Sequence, residues 1–390
     1  MSEKVVVVGA GYAGAGTVKS FEDEIDPGEA ELTWVSDHNY HLLLHEVHRC
    51  IRKPEVESKV TIPVEEIKED DTEFVRDRVT GVDTDDRSVE LADGEDIDYD
   101  YLLVAVGSET AFFGIEGLEE HALTLKSLDD AREIHQQVVD AAADADEDDP
   151  AQVIVGGAGL SGIQAAGEIA ELRDERDYPL EIKLVEGLDQ VFPGNDPRVQ
   201  GSIRKHLLDH DIEILTGDFI SKADEDAVYL GSEDDDDRLE HDVLLWTGGI
   251  TGREEFADTV DSDDRSKRLL AESTFETSDD RVFSLGDSAL VEQDDEEVAP
   301  PTAQAAWQAA EVAGENLARA LRGAPLKTWT HTDKGTVISV GDDVVAHDVQ
   351  GIPVNTFSGP IAETLKKGIA ARWIATVSSP TRAISAWNDM

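Results

Sequence analysis

Residues 5–14 read Val5-Val6-Val7-Val8-Gly9-Ala10-Gly11-Tyr12-Ala13-Gly14, and this stretch decides the fold. Four consecutive valines predict a buried parallel strand, and a G-x-G-x-x-G motif follows that strand directly. In such a motif the first glycine permits a tight turn, the second lets the backbone approach a pyrophosphate, and the third allows close packing of helix on strand. Because a helix is predicted over residues 15–21, its positive N-terminal end would face those phosphates.

The same strand–glycine–helix pattern returns at Gly157-Ala158-Gly159-Leu160-Ser161-Gly162, 148 positions after the first motif. A carboxylate at the end of the next strand should accept hydrogen bonds from a ribose diol. After the second motif this residue is Glu186, which would repel a 2′-phosphate and therefore favours NADH over NADPH. After the first motif we assign Asp37, one position beyond the expected strand end at Ser36, although an ordinary turn aspartate would give the same pattern.

A third signal, Gly286-Asp287, follows a strand predicted over residues 282–285. A strand that ends in Gly-Asp resembles the second FAD motif of flavoproteins with two dinucleotide domains, in which the aspartate binds the ribityl chain. Two dinucleotide sites imply two dinucleotides, and a flavin with a nicotinamide is the usual pair for hydride transfer. The order FAD, NAD, FAD along the chain predicts an α/β fold with two Rossmann-like domains, in which the FAD domain is discontinuous and the NAD domain is inserted. The predicted boundaries are 1–120 and 251–325 for the FAD domain, 121–250 for the NADH domain, and 326–390 for a C-terminal domain with an amphipathic helix.

The composition excludes several classes of protein. The 390 residues include 87 Asp and Glu against 33 Lys and Arg, a formal net charge of −54. Nucleic-acid binding needs clustered basic residues, so no nucleic-acid partner is expected. Salt screens the self-repulsion of an acidic coat, so we hypothesise a salt-adapted protein, and a stability that does not rise with KCl would contradict this. Cys50 is the only cysteine, which excludes disulfide reductases and sulfide:quinone oxidoreductases because both need at least two.

Five segments outside the glycine motifs carry a family resemblance. They are 99–108 (YDYLLVAVGS), 112–122 (FFGIEGLEEHA), 125–128 (LKSL), 246–249 (WTGG) and 301–308 (PTAQAAWQ). These segments resemble the single-subunit type II NADH:quinone oxidoreductases, a family of FAD-dependent pyridine nucleotide oxidoreductases. The resemblance covers most of the chain and is weakest over the last thirty residues. Val106 stands where the family usually has a threonine, and we count the following Gly107 among the FAD-binding residues.

Two glutamines and one glutamate are the catalytic candidates that the resemblance implies. In the family an A-Q-x-x-x-Q segment lies beside the flavin at the quinone pocket, and Gln304 and Gln308 match it. Their i, i+4 spacing puts both on one side of a helix, where they could donate to a quinone carbonyl, although a polar stripe on an alanine-rich helix has the same spacing. The family often has glutamates at both Gln164 and Glu168. Only Glu168 is kept here, and the resemblance implies that it supplies protons or places the substrate; a capping or solvated helix glutamate is the alternative.

Four neighbouring histidines raise the question of a metal site. His41, His45 and His48 fall at i, i+4 and i+7, which predicts one helical face, and His38 precedes them. The spacing differs from the H-E-x-x-H zinc motif, and the family has the segment 39–41 (NYH) without a metal. We therefore predict no metal site and leave the role of the cluster open; zinc bound to the purified protein would contradict this.

The last thirty residues differ in charge from the rest of the chain. From residue 361 onward four basic residues face two acidic ones. An apolar residue recurs every four positions, at Ile361, Leu365, Ile369, Trp373 and Val377. This stripe predicts a helix that lies in the plane of an anionic membrane surface, although a helix packed on a second subunit or on the core would show the same stripe.

The sequence thus predicts an FAD enzyme that oxidises NADH and passes the electrons to a membrane quinone without pumping protons. Neither a secretion signal nor a membrane-spanning run is visible, so the expected location is the cytoplasm, at the inner face of the cell membrane. A homodimer is an open alternative. The rival functions are a soluble NADH-dependent reductase of another acceptor and a redox-sensing protein that binds FAD and NADH without useful turnover. The acidic segment 233–237 is predicted to be an exposed hairpin tip.

Overall fold

The computed structural model describes residues 2–231, 238–294 and 297–390, so the predicted hairpin tip at 233–237 lies outside the described residues. The strands in these ranges are β1 (Glu3–Val8), β2 (Ala30–Ser36), β3 (Tyr40–Leu42), β4 (Thr61–Pro63), β5 (Glu73–Arg76), β6 (Val79–Asp83), β7 (Ser88–Leu91), β8 (Ile97–Asp98), β9 (Tyr101–Val104), β10 (Glu109–Thr110), β11 (Ala151–Gly156), β12 (Leu180–Glu186), β13 (Ile212–Thr216), β14 (Ile220–Ala223), β15 (Ala227–Leu230), β16 (Arg238–Glu240), β17 (Val243–Trp246), β18 (Ile250–Thr251), β19 (Leu269–Ala271), β20 (Val282–Ser284), β21 (Ala289–Val291), β22 (Thr336–Val340), β23 (Asp343–His347) and β24 (Thr356–Ser358). The α-helices are α1 (Tyr12–Glu24), α2 (Arg49–Arg52), α3 (Glu57–Val60), α4 (Leu118–His121), α5 (Leu128–Asp144), α6 (Leu160–Arg176), α7 (Pro197–Asp209), α8 (Ala303–Leu321), α9 (Pro360–Val377) and α10 (Pro380–Ala386).

The first sheet is parallel and combines distant parts of the chain. Its strand order is β20-β9-β1-β2-β5, and β1 is its central strand. The four valines from Val5 to Val8 are at most 2% exposed, because both faces of the strand are covered. Since β20 comes long after β9 in the chain, this unit is discontinuous, as predicted.

The second sheet lies between the two parts of the first in sequence. Its order is β13-β12-β11-β17, again parallel throughout. A short antiparallel pair, β10 with β18, joins the chain that enters this unit to the chain that leaves it. The predicted fold class, two Rossmann-like units with one inserted into the other, is therefore confirmed, while the residue boundaries of the domains stay a prediction.

Helices α1 and α8 pack closely and join the N-terminal and C-terminal parts of the first unit. A Cβ atom on Gly16 would lie 2.7 Å from the Cβ atom of Ala310, and one on Gly314 would lie 2.6 Å from the Cβ atom of Ser20. Real Cβ atoms do not approach so closely, so each of these glycines allows the facing helix to come near.

The C-terminal part consists of the antiparallel sheet β22-β23-β24 with α9 and α10. It packs against the second unit through β22 and α6. At their contact a Cβ atom on Gly167 would lie 2.3 Å from the backbone nitrogen of Gly341. The helix that follows the second glycine motif is thus covered by the C-terminal sheet.

The predicted C-terminal helix is present as α9, but its apolar stripe does not stay on one face. Trp373 and Val377 are buried, whereas Ile361 is 70% and Ile369 is 39% exposed. An α-helix has about 3.6 residues per turn, so a repeat of four rotates the stripe by about 40° at each step. The prediction of a single apolar face was therefore wrong, and Lys366 lies on the buried side instead.

No helix within the described residues is both long enough and apolar enough to cross a lipid bilayer.

The histidine segment does not form the predicted helical face. His41 lies on β3, which pairs with β4, and His45 lies in a single 3₁₀ turn over Leu44–Glu46. His48 precedes the first turn of α2. The spacing prediction was wrong because strand pairing with a segment some twenty residues away overrides the local period, as tertiary contacts often do.

Candidate active site

A cavity of about 1580 Å³ lies between the two parallel sheets. Its wall includes Gly9 and Gly11 of the first motif and Gly159 of the second. A site for one small molecule usually measures roughly 300–1000 Å³, so this cavity has room for more than one ligand.

The first glycine motif has the geometry that a dinucleotide requires. Gly9 has φ +107°, and a Cβ atom on it would lie 2.2 Å from the carbonyl oxygen of Ala105. A Cβ atom on Gly14 would lie 1.9 Å from the carbonyl oxygen of Gly9. Nothing lies within 4 Å of the corresponding point on Gly11. The first and third glycines therefore serve the fold, and the second presents bare backbone to open space.

The second motif repeats this division of roles. Gly157 has φ +93°, and a Cβ atom on it would lie 2.8 Å from the Cα atom of Gly248. A Cβ atom on Gly162 would lie 1.9 Å from the carbonyl oxygen of Gly157, whereas nothing lies within 4 Å at Gly159. The two glycine loops, residues 9–14 (the first cradle) and 157–162 (the second cradle), thus have the same design and face one cavity. Each fits the pyrophosphate of a dinucleotide.

Of the two acidic residues assigned to the ribose groups, Glu186 is the last residue of β12, and Asp37 directly follows the last residue of β2. Glu186 ends β12; its Oε2 accepts from the backbone N–H of Ala158 at 2.8 Å and its Oε1 from that of Leu188 at 2.9 Å. Glu186 therefore also holds the second glycine loop in place. Asp37 lies on the cavity wall with its side chain 49% exposed, 3.8 Å from Nε2 of His38.

The third signal, Gly286-Asp287, also lines the cavity, beside Gly107. The Ser108 hydroxyl donates to Oδ2 of Asp287 at 3.4 Å, and Nζ of Lys126 donates to the same hydroxyl at 3.1 Å. Burial lowers the pKa of Lys126, against the attraction of Asp287. Lys126 is a half-buried cation on the cavity wall and suits an anionic ligand; its segment was noted in the sequence, but this residue was not predicted as part of the site.

The two glutamines of α8 do not line the cavity, although the first turn of this helix does, through Thr302 and Ala303. Their amides hold the segment 332–335. Gln304 donates to the carbonyl oxygen of Gly335 at 3.1 Å and accepts from the backbone N–H of Lys334 at 2.7 Å. Gln308 donates to the carbonyl oxygen of Thr332 at 2.9 Å and accepts from its N–H at 3.2 Å. Among the described residues, one N–H of Gln304 has no acceptor, and a direct contact with a ligand stays a prediction.

Glu168 is fully buried and does not line the cavity either. Its Oε2 lies 2.8 Å from Nε of Arg52. Burial raises the pKa of Glu168, and the positive charges of Arg52 and Arg49 oppose that rise. One helical turn earlier, Gln164 does line the cavity, and its amide nitrogen lies 3.2 Å from Nε2 of His48. The position that faces the cavity is therefore the one where this chain has glutamine.

A polar wall closes one side of the cavity, formed by Tyr12, His45, His48 and Gln164. The Tyr12 hydroxyl lies 2.5 Å from Nδ1 of His45. His41 lies behind the wall, between the carbonyl oxygen of Ala10 at 2.8 Å and the indole N–H of Trp373 at 2.8 Å, and burial lowers its pKa to about 4. The histidines are thus engaged by protein groups rather than gathered around one point.

A buried charge cluster, Glu46 with Arg49 and Lys366, lies directly behind the polar wall. Nζ of Lys366 is 3.2 Å from Oε2 of Glu46, 3.3 Å from Nε2 of His48 and 2.8 Å from Oγ of Ser339. Burial lowers the pKa of Lys366 to about 8 although Glu46 attracts the proton. Burial alone would raise the pKa of Glu46, but Lys366 and Arg49 together hold it well below its ordinary value.

Comparison with known proteins gives one family and several relatives. The sequence profile of the family described as pyridine nucleotide-disulphide oxidoreductase matches residues 3–310. Proteins of Staphylococcus aureus and Staphylococcus saprophyticus, each named type II NADH:quinone oxidoreductase, are 29% identical to this chain over 384 and 386 residues, which cover 95% of this chain and 94% of theirs.

Solved structures share the fold over nearly the whole chain. The structure of NDH2 from Plasmodium falciparum in complex with NADH has a TM-score of 0.84 at 16% identity and covers 100% of this chain and 98% of its own. The sulfide:quinone oxidoreductase of Aquifex aeolicus has a TM-score of 0.78 at 17% identity, with 98% and 93% covered. At such identities the likeness establishes the fold alone.

Proposed function

Because the chain belongs to the pyridine nucleotide-disulphide oxidoreductase family, we propose that it oxidises NADH through a bound FAD and delivers the electrons to a membrane quinone without pumping protons. The predicted resemblance to type II NADH:quinone oxidoreductases is confirmed by relatives of that name. The observation that carries the proposal is that two dinucleotide cradles of one design open into one cavity.

The first cradle is proposed to hold FAD. Gly11 offers bare backbone for the pyrophosphate between the structural glycines Gly9 and Gly14, and Asp37 stands at the ribose position. The ribityl chain would lie along the surface formed by Gly107, Gly286 and Asp287. When bound, FAD supplies an acceptor for the hydride of NADH and a donor of two electrons to the quinone.

The second cradle is proposed to hold NADH, with Gly159 at the pyrophosphate, Gly157 and Gly162 shaping the turn, and Glu186 at the ribose diol. Both oxygens of Glu186 already accept one backbone N–H each, and a carboxylate has lone pairs left for the diol. A 2′-phosphate at this place would meet a negative charge, which favours NADH over NADPH.

Reduction of a quinone to a quinol takes up two protons as well as two electrons. We propose that the polar wall faces the quinone and that Lys366 replenishes its protons. Lys366 lies within 3.3 Å of His48, and a pKa of about 8 allows it to give up a proton and regain it near neutral pH. Gln304, Gln308 and Glu168 are then positioning residues: the glutamines hold the segment 332–335, and Glu168 pairs with Arg52 one helical turn after Gln164.

The test of the proposed function is an anaerobic absorbance spectrum of the purified protein, taken before NADH, after NADH, and after a quinone analogue. We expect flavin bands that bleach with NADH and return with the quinone. A colourless protein that cannot be reconstituted with flavin would overturn the proposal. Reoxidation by ferredoxin or a soluble acceptor but not by quinone would indicate a soluble reductase, and bleaching without steady-state turnover would indicate a redox sensor.

Replacement of Glu186 by glutamine is expected to shift the choice between the two nicotinamide dinucleotides. In the Glu186→Gln variant the amide oxygen can accept from only one of the two backbone N–H groups, but the charge that repels a 2′-phosphate is gone. The ratio of kcat/KM for NADPH to that for NADH should therefore rise. Steady-state kinetics with both substrates measure this. Glu181→Gln, an exposed change on the same strand, is the matched control, and an unaltered NADH to NADPH ratio in the Glu186 variant would contradict the assignment.

The C-terminal helices are proposed to attach the protein to the inner face of the cell membrane. Ile361 is 70% and Ile384 is 76% exposed, and Lys367 and Arg372 lie on the same pair of helices. Apolar side chains that enter the interface and basic residues near anionic lipid, at about 1 kcal/mol each, act together in such attachment. A second copy of the chain is the alternative occupant of this surface.

Aspartates at Ile361 and Ile384 are expected to weaken binding to anionic vesicles at least tenfold, because each change removes an apolar anchor and adds a repelled charge. Vesicle flotation in low and high KCl measures this binding, and Leu270→Asp, at another exposed apolar position, is the control. NADH oxidation with a water-soluble acceptor should stay unchanged. Membrane attachment would be contradicted if the double variant floated with vesicles as well as the unaltered protein does. It would also be contradicted if the unaltered protein were a dimer and the double variant a monomer.

A further inference from the structure

Two exposed apolar side chains lie next to the second cradle, on the loops that follow β12 and β13. Phe219 is 63% exposed and Leu188 is 50% exposed. Leu188 comes two positions after Glu186, and Phe219 three positions after the end of β13. Both therefore lie on loops at the carboxyl edge of the second sheet, where ligands of doubly wound folds bind.

The loops that carry these side chains are fastened to each other. The backbone N–H of Gly217 donates to the carbonyl oxygens of Glu186 at 3.0 Å and Leu188 at 3.1 Å. The Phe219 ring lies directly on Gly187, since a Cβ atom there would be 2.2 Å from Cδ1 and 2.4 Å from Cε1 of the ring. The backbone thus sets the place of the ring, which rests against glycine and leaves most of its surface to solvent.

The strand order gives the direction in which a bound dinucleotide continues. Its pyrophosphate lies at the loop after β11 and its ribose at the end of β12, and β13 is the next strand in that direction. The base beyond the ribose therefore reaches the loop after β13, where Phe219 is the exposed side chain.

We infer that Phe219 and Leu188 form an adenine shelf, a surface on which the adenine ring of the nicotinamide dinucleotide lies; this inference rests on the proposed function. An aromatic face and an aliphatic side chain suit a flat, uncharged base, and stacking of a base on an aromatic ring contributes measurably to affinity. Glu186 holds the shelf to the ribose site, because its Oε1 accepts from the N–H of Leu188. The shelf makes Phe219 a binding residue for NADH that takes no part in hydride transfer.

Two substrates with the same reacting ring provide the test. NADH carries an adenosine monophosphate half, and reduced nicotinamide mononucleotide lacks this whole half. In the flavin-loaded protein with a water-soluble quinone analogue, Phe219→Ala should raise KM for NADH about tenfold and leave kcat within about twofold. The kcat/KM for reduced nicotinamide mononucleotide should stay unchanged. Phe219→Ala should bind ADP-ribose about tenfold more weakly than the unaltered protein does. Calorimetry measures this affinity without any turnover.

Further variants decide between stacking and simple loss of structure. Phe219→Trp should keep the affinity for NADH, and Leu208→Ala, which removes another exposed apolar side chain from the same unit, should change nothing. The adenine shelf would be overturned if Phe219→Ala lowered kcat/KM equally for NADH and for reduced nicotinamide mononucleotide. It would also be overturned if this variant bound ADP-ribose as tightly as the unaltered protein. If the unaltered protein binds neither ADP-ribose nor NADH, the proposed function fails instead, so the two failures are distinguishable.

Discussion

Valine at Gly159 is expected to lower kcat/KM for NADH at least 100-fold while the protein keeps its flavin and its thermal stability. Gly159 has φ −79° and ψ −170°, an extended conformation that valine adopts readily, and nothing lies within 4 Å of its Cβ position. The side chain would therefore cost the fold no more than about 1 kcal/mol as a poorer helix cap. It would, however, fill the space through which the pyrophosphate reaches the loop, and displacement of a substrate by about 1 Å can cost 100-fold.

The matching change in the other cradle separates the two nucleotides. Gly11→Val should lose FAD, seen as the absence of flavin bands in the purified protein, because Gly11 faces the same kind of open space. Gly162→Val is the contrasting variant, since its Cβ atom would lie 1.9 Å from the carbonyl oxygen of Gly157 and should destabilise the unit as a whole. Normal NADH kinetics in Gly159→Val, or loss of flavin in this variant rather than in Gly11→Val, would reverse our assignment of the cradles.

Glu46→Gln is expected to lower the free energy of unfolding by about 3–5 kcal/mol, because it leaves the buried Lys366 ammonium without its counter-charge. Lys366→Met in the same chain should restore much of this loss, since the double variant no longer buries an unpaired ammonium group. Arg49, 2.6 Å from Oε2 of Glu46, loses its partner in both variants, so restoration should be incomplete. Denaturant unfolding at pH 7 in constant KCl measures all four members of the cycle.

The pH dependence provides a separate check on Lys366. Its pKa is about 8 in the folded chain and 10.5 for the free side chain. Between these values the unfolded chain holds a proton that the folded chain has released, so the free energy of unfolding should rise with pH across this window. Lys366→Met should abolish the rise. A free energy of unfolding that falls from pH 8 to pH 10 in the unaltered protein, with no change on substitution, would contradict the buried state of this lysine.

Sequence reasoning succeeded where the chemistry is local. Both glycine motifs, the strand end at Glu186 and the pair Gly286-Asp287 each lie directly at the end of a parallel strand, so short spacing determines their geometry. The charge cluster was missed because Lys366 and Glu46 are 320 positions apart, and no local pattern connects them. Lys366 was counted only as a basic residue of a helix predicted to face a membrane.

For two groups of site residues, local spacing does not determine what the side chains contact, and the physical reason is the same for both. Glu168 and Gln164 are one helical turn apart, so a family pattern alone does not say which of them the surrounding elements turn towards the cavity. For Gln304 and Gln308 the i, i+4 spacing correctly predicted a shared side of α8. What that side meets depends on the segment 332–335, which returns to it from further along the chain.

The interleaved order of the two sheets has a consequence for synthesis on the ribosome. The second sheet needs nothing beyond Trp246, whereas the first is incomplete until Ser284 has emerged and α8 has docked on α1. At about 5–20 residues per second, the stretch from Trp246 to Ser284 takes on the order of 2–8 seconds to translate. The second parallel sheet is therefore the first that can be completed, and the nascent N-terminal strands must wait with one hydrogen-bonding edge of β9 still open.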